Sequence, residues 1–164
     1  MTSSATGPDR TGGAGQGPKG SRSYRVEAHS AAPVEQVWPL LAEAARWRDW
    51  SFLTRSELER PGSPDPDGVG AVRHFTRYGI GSREEVVVWD APHHLAYRIL
   101  SGFPARDYRA DVTLEETGTG TRIQWNGTYV AKWPGTGGLL SYVLPKMMQR
   151  FADGVARYAE TQTE

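Results

Sequence analysis

Arg73 and Glu84 are the candidate catalytic residues of this chain, because their spacing brings two opposite charges together across a turn. Tyr78-Gly79, read as a two-residue hairpin loop, sets Arg73 directly opposite Glu84 on paired strands. Glu84 then shares a face with Val86 and Val88, and Arg73 with Phe75 and Val69, so both charges point to the apolar side. A buried, unpaired charge costs several kcal/mol, so charges placed there need each other or water. Paired, they form a polar anchor in an apolar pocket, suited to a carboxylate, carbonyl or phenol. A loop longer by one residue would turn both outward, into a surface ion pair worth about 0–1 kcal/mol.

The remaining polar groups carry less. His93 and His94 are adjacent, so on a strand they face opposite ways, and His29 and His74 fall on outward positions. No His-x-x-x-His pair, nucleophile elbow or phosphate-binding glycine loop occurs, and Gly68-x-Gly70 opens a strand without a third glycine. With no cysteine, disulfides, thiolate zinc sites and Cys nucleophiles are excluded. The expectation is no metal and no cofactor. Nineteen basic residues balance nineteen acidic ones without a basic run, which argues against nucleic acid as partner. Residues 1–20 lack the apolar core of a secretory signal and have the composition of a disordered tail. No stretch is apolar enough to span a membrane. These features predict a cytoplasmic protein, a monomer or weak homodimer, whose partner is a hydrophobic small molecule.

The elements that must position Arg73 and Glu84 follow from periodicity. Ser23–Ser30 alternates, with Tyr24, Val26 and Ala28 on one face, as a half-buried strand does. Pro33 then opens a helix whose apolar face is Val34, Val37, Trp38, Leu40 and Leu41, kept short or kinked by Pro39. A second short helical piece covers Glu43–Trp47. Strands are predicted over Thr54–Arg60, Val69–Arg77, Ser82–Asp90, His94–Leu100, Asp107–Glu115 and Thr121–Lys132, separated by Gly- and Pro-rich turns. Asn126-Gly127 could split the last strand as a hairpin. One long strand is preferred, with Gly127 a bulge or a place where another group approaches the backbone. From Gly137 to Glu160 the period is helical, with Leu140, Val143, Leu144, Met147, Met148, Phe151, Val155 and Tyr158 forming one stripe.

The fold class is therefore α+β: a curved antiparallel sheet of about seven strands, two short helices after the first strand, and one long C-terminal helix. A helix about 10–12 Å across covers the centre of such a sheet but not its whole width. The uncovered part is filled by large side chains or remains an enclosed cavity. Alternation puts Leu95, Tyr97 and Ile99 inward, with Tyr108, Ala110, Val112 and Leu114, and Ile123, Trp125, Gly127 and Tyr129. Small Ala110 and Gly127 beside Tyr and Trp leave room for a ligand. The candidate ligand-binding residues are Arg73, Phe75, Glu84, Val86, Tyr97, Tyr108, Ala110, Val112, Trp125, Tyr129, Met147, Met148 and Phe151. The last three serve equally as a flexible cavity roof or as plain helix-on-sheet core. Trp50 and Phe103 fall on loops that could form the mouth.

Ala32-Pro33-Val34-Glu35-Gln36-Val37-Trp38 resembles the first-helix signature of the START-like (SRPBCC) superfamily of polyketide cyclase/dehydrase type. Gly68-Val69-Gly70-Ala71-Val72-Arg73 and Arg83–Pro92 match it too, as do Tyr97, Gly120-Thr121 and Trp125, in order, across residues 22–161. The resemblance implies a helix-grip fold over 21–162 with a deep apolar cavity for lipid or polyketide-like, aromatic ligands. It also implies a mobile entrance loop near Phe103-Pro104, and in some members cyclisation or dehydration. Two functions follow. One is binding of a hydrophobic small molecule. The other is a cofactor-independent polyketide cyclase/dehydratase, with Arg73, Glu84, Tyr108 and Tyr129 supplying proton donors and acceptors. A protein-interaction module is a third class, for which the sequence shows no exposed apolar stripe.

Overall fold

The computed structural model describes residues 18–162, so most of the predicted N-terminal tail lies outside the described residues. Alternation builds the first strand as expected: β1 (Ser21–Ser30) buries Tyr24 and Val26. Pro33 caps the helix α1 (Val34–Ala42), which buries Val34, Val37, Trp38, Leu40 and Leu41. A 3-10 turn (Ala44–Arg46) leads into the four-residue α2 (Trp47–Trp50). The last carbonyls of a helix have no partner within it. Here the Trp50 and Trp47 indole N–H groups donate to Leu40 O and Leu41 O, each at 2.9 Å, folding α2 back onto α1.

Six strands follow: β2 (Arg55–Arg60), β3 (Val72–Arg77), β4 (Ile80–Asp90), β5 (His94–Ser101), β6 (Ala105–Thr117) and β7 (Gly120–Ala131). They form one seven-stranded antiparallel sheet in the order β1-β7-β6-β5-β4-β3-β2. The third strand starts at Val72 rather than Val69, which is left exposed. Tyr78 and Gly79, at φ 52° and 82°, make the two-residue turn of the β3–β4 hairpin. The register pairs Arg73 with Glu84 as predicted.

Four bulges bend the sheet and re-aim side chains, one of them on β2 between Leu58 and Arg60. On β4 an extra residue between Val86 and Val88 shifts the pairing with β5, so Trp89, not Val88, joins the inner face and meets Trp38 at 5.2 Å. On β5, Leu100 is unpaired between Ser101 and Ile99. On β6 the shift falls between Arg106 and Arg109, with Asp107 at φ 51°, and Tyr108 keeps the inner face it shares with Ala110 and Val112. β7 runs unbroken through Gly127, across which the Tyr24 ring lies; a Cβ there would collide with the ring carbons.

The long helix α3 (Gly137–Thr161) buries Leu140, Leu144, Met148, Phe151 and Val155, but leaves Val143 exposed. It does not cover the centre of the sheet. Ala152, Ala156 and Ala159 let its backbone approach β1 closely, and Ser30 Oγ donates to Ala156 O at 2.8 Å. α3 therefore packs on β1 and β7, leaving the inner faces of β3 to β6 without this long helix against them. No described helix is long and apolar enough to cross a membrane.

Candidate functional site

The space left by this off-centre helix is a cavity of about 490 Å³. Its walls come from β3 (Phe75, Arg77), β4 (Ile80, Gly81, Ser82, Glu84), β5 (Tyr97, Ile99) and β6 (Tyr108). Met147, Met148 and Phe151 of α3 close one side; Trp47, Phe52 and Leu53 close another. The cavity is not enclosed. It opens at the β3–β4 turn, where Tyr78 is 81% and Ile80 82% exposed, and beside Gly102-Phe103-Pro104. The two hairpin tips touch there through glycine: a Cβ on Gly102 would collide with Gly81 O.

The one carboxylate on the wall is Glu84, 3% exposed. Arg73 Nη2 donates to its Oε1, and Arg73 Nη1 donates to Leu41 O at 3.1 Å, at the negative end of α1. Trp47, Phe75 and Tyr97 surround the guanidinium at 5.0, 5.3 and 5.3 Å. Those three rings line the cavity and Arg73, at 0% exposure, does not. Arg73 therefore acts behind the wall, paired with the Glu84 carboxyl and holding a ring cage in shape. Its Nε finds no hydrogen-bond partner. Burial pushes the Glu84 carboxyl above its usual range, and the Arg73 charge pulls it back part of the way.

Beside Glu84 stand phenols. Tyr24 and Tyr108 hydroxyls share a 2.5 Å hydrogen bond, and Tyr97 OH accepts from the Trp125 indole at 3.1 Å. Burial pushes the Tyr24, Tyr97 and Tyr108 phenols well above the normal range, so all three stay protonated. Tyr97 and Tyr108 reach the cavity; Tyr24 stands behind Tyr108. A polar floor of one carboxylate and two phenols under apolar walls can hold a carbonyl, phenol or hydroxyl oxygen.

Of the residues predicted to contact a ligand, Phe75, Glu84, Tyr97, Tyr108, Met147, Met148 and Phe151 line the cavity, with Phe103 at its mouth. Val86, Ala110, Val112, Trp125 and Tyr129 point inward but lie in the packed core. Ala110 makes no room for a ligand: it lies across from Gly127, the place taken by the Tyr24 ring. Tyr129 turns its hydroxyl to Ser141 at 3.3 Å. Trp50 is buried against Phe151, with its indole on α1, and is not at the mouth; Phe52 takes that place, 4.5 Å from Phe151. Arg77, Tyr78, Ile80 and Ser82 escaped sequence reasoning. The available signal was an apolar pair, Tyr78 and Ile80, on a turn that ought to be solvated. Among the described residues no three His, Asp or Glu side chains converge as a metal site. His94 hydrogen-bonds Asp111 at 2.8 Å.

A family model described as polyketide cyclase / dehydrase and lipid transport matches residues 21–160. Solved structures share the fold at low identity. The protein XoxI from Bacillus cereus superposes with TM-score 0.68 at 17% identity, over 88% of this chain and 98% of that one. TTHA0849 from Thermus thermophilus gives 0.67 at 21%, over 87% and 100%. A point mutant of norcoclaurine synthase from Thalictrum flavum, in complex with a transition-state analogue, gives 0.66 at 14%, over 88% and 97%. No curated protein matches by sequence.

Proposed function

Because the chain belongs to the polyketide cyclase / dehydrase and lipid transport family, within the START-like (SRPBCC) superfamily, we propose that it binds a hydrophobic small molecule in the cavity between β3–β6 and α3. The observation that carries this reading is the cavity itself. About 490 Å³ lies under apolar and aromatic walls, with Glu84, Tyr97 and Tyr108 as a small set of convergent polar groups. A lipid or a polyketide-like aromatic body fills the apolar part, and a neutral oxygen of the ligand meets the polar floor. Native against denaturing mass spectrometry of freshly purified protein tests this, together with titration of the neutral dye N-phenyl-1-naphthylamine. A co-purifying mass, or saturable one-to-one dye binding, is expected. Failure of both overturns the reading.

A second reading rests on the pairing of roles at the floor. Glu84 is a carboxyl raised above its usual range by burial, beside phenols that keep their protons. A base and an acid of that kind are what aldol-type ring closure and dehydration require. As a cyclase or dehydratase acting on a poly-β-ketone held in the same cavity, the protein would lose kcat in Tyr108→Phe with KM nearly kept. As a carrier it would lose affinity only and release the ligand unchanged.

A further inference from the structure

The floor of the cavity is not where its free charge lies. Arg77, at the end of β3, is the one charged wall residue without an opposite partner among the described residues. Its guanidinium carbon lies 5.4 Å from the centre of the Phe52 ring at the mouth. Arg150, on α3, reaches the same ring at 5.1 Å and likewise has no ion pair among the described residues. The nearest acid along its helix, Asp153, accepts instead from Gln149 at 2.9 Å. Lys146 stands one turn before Arg150, over Tyr142. No Asp or Glu occurs from residue 117 to 152, so the helical side of the rim is cationic only.

Elsewhere the fold pairs some of its arginines and leaves others, such as Arg25, Arg46, Arg106 and Arg157, without an ion pair among the described residues. On the outer surface of the sheet Arg83 meets Glu59, Arg98 meets Glu85 and Arg122 meets Glu115. At the rim two guanidiniums converge on one ring and repel each other, with their N–H forks unclaimed. Stacking on an aromatic face orients a guanidinium while leaving its edge donors for an anion.

We propose that the ligand is an amphipathic anion, an apolar body carrying a carboxylate, sulfonate or phosphate head, which binds head-outward with the head between Arg77 and Arg150. The inference rests on the cavity reading above and adds the ligand's charge and its orientation. The opposite orientation would bring the head against Glu84, whose own charge is already hard to bury. The deep end of the ligand is therefore neutral, and only the rim receives charge.

Two dyes with the same ring body separate the terms: 1-anilinonaphthalene-8-sulfonate and the neutral N-phenyl-1-naphthylamine. Dissociation constants are measured for both at low and high salt, on the protein and on Arg77→Gln, Arg150→Gln and the double variant. The sulfonate should bind about tenfold tighter than the amine at low salt, as charge-assisted contacts to two guanidiniums allow. Added salt and each substitution should erode that preference, and the double variant should bring the ratio of the two dissociation constants to parity, a ratio in which any change common to both dyes cancels. Equal binding of the two dyes by the unaltered protein, or a preference surviving in the double variant, overturns the anionic assignment but leaves the cavity reading standing. Failure of both dyes to bind, with no co-purifying mass, removes both.

Discussion

At the scale of single residues the chain spends its largest electrostatic effort on Arg73 and Glu84. Neither is exposed, so each would carry an uncompensated buried charge without the other. Arg73→Met should destabilise the protein by about 3–5 kcal/mol in urea unfolding. Arg73→Met with Glu84→Leu should recover most of that loss, because the desolvation penalty of both ions goes with them. The phenols give a pH signature. Tyr24, Tyr97 and Tyr108 have ordinary values near 10 unfolded and far higher ones folded. The stability they contribute is fully present below pH 10 and falls as the pH rises past it, by about 1.4 kcal/mol per pH unit for each. Absorbance at 295 nm from these three should appear only with unfolding. A smooth rise of all seven tyrosines in the folded protein would contradict their burial.

At the scale of elements, the sheet's irregularities decide which residues meet the cavity. The two-residue turn at Tyr78-Gly79 fixed the register of β3 and β4, and this was readable because only one loop length puts both charges on the apolar face. The bulges were not readable. An extra residue has no sequence mark of its own, and the one on β4 moved Val88 out and Trp89 in, whereas Tyr108 keeps the inward face that alternation with Ala110 gives it. Gly127 was legible as a place of close approach but not the group that approaches, since Tyr24 is more than a hundred residues away. Gly127→Ala should push the Tyr24 ring aside and break its bond to Tyr108, costing about 1–3 kcal/mol as over-packing does. A variant that unfolds at the same urea concentration with the Tyr24 phenol unperturbed would show that the ring was never seated there.

At the scale of the whole molecule, function depends on where α3 lies. Its alanines draw it onto β1 and β7, and the volume it fails to fill becomes the cavity. Met147→Trp, at a half-buried position on that wall, should abolish binding of N-phenyl-1-naphthylamine while the melting temperature stays close to its original value. Retained dye affinity would place the dye elsewhere. Periodicity and turn chemistry already specify the order of elements, the strand faces away from the bulges, the long helix and the Arg73–Glu84 pairing. Each of these follows from local periodicity or from a turn of defined length, which neighbouring residues encode. The tertiary structure alone decided the lateral position of α3, the exclusion of Arg73 and Ala110 from the wall, and the convergence of Arg77 and Arg150 on Phe52. Those depend on how closely two backbones approach and on which of several inward side chains reaches a shared space first, quantities that no single segment carries.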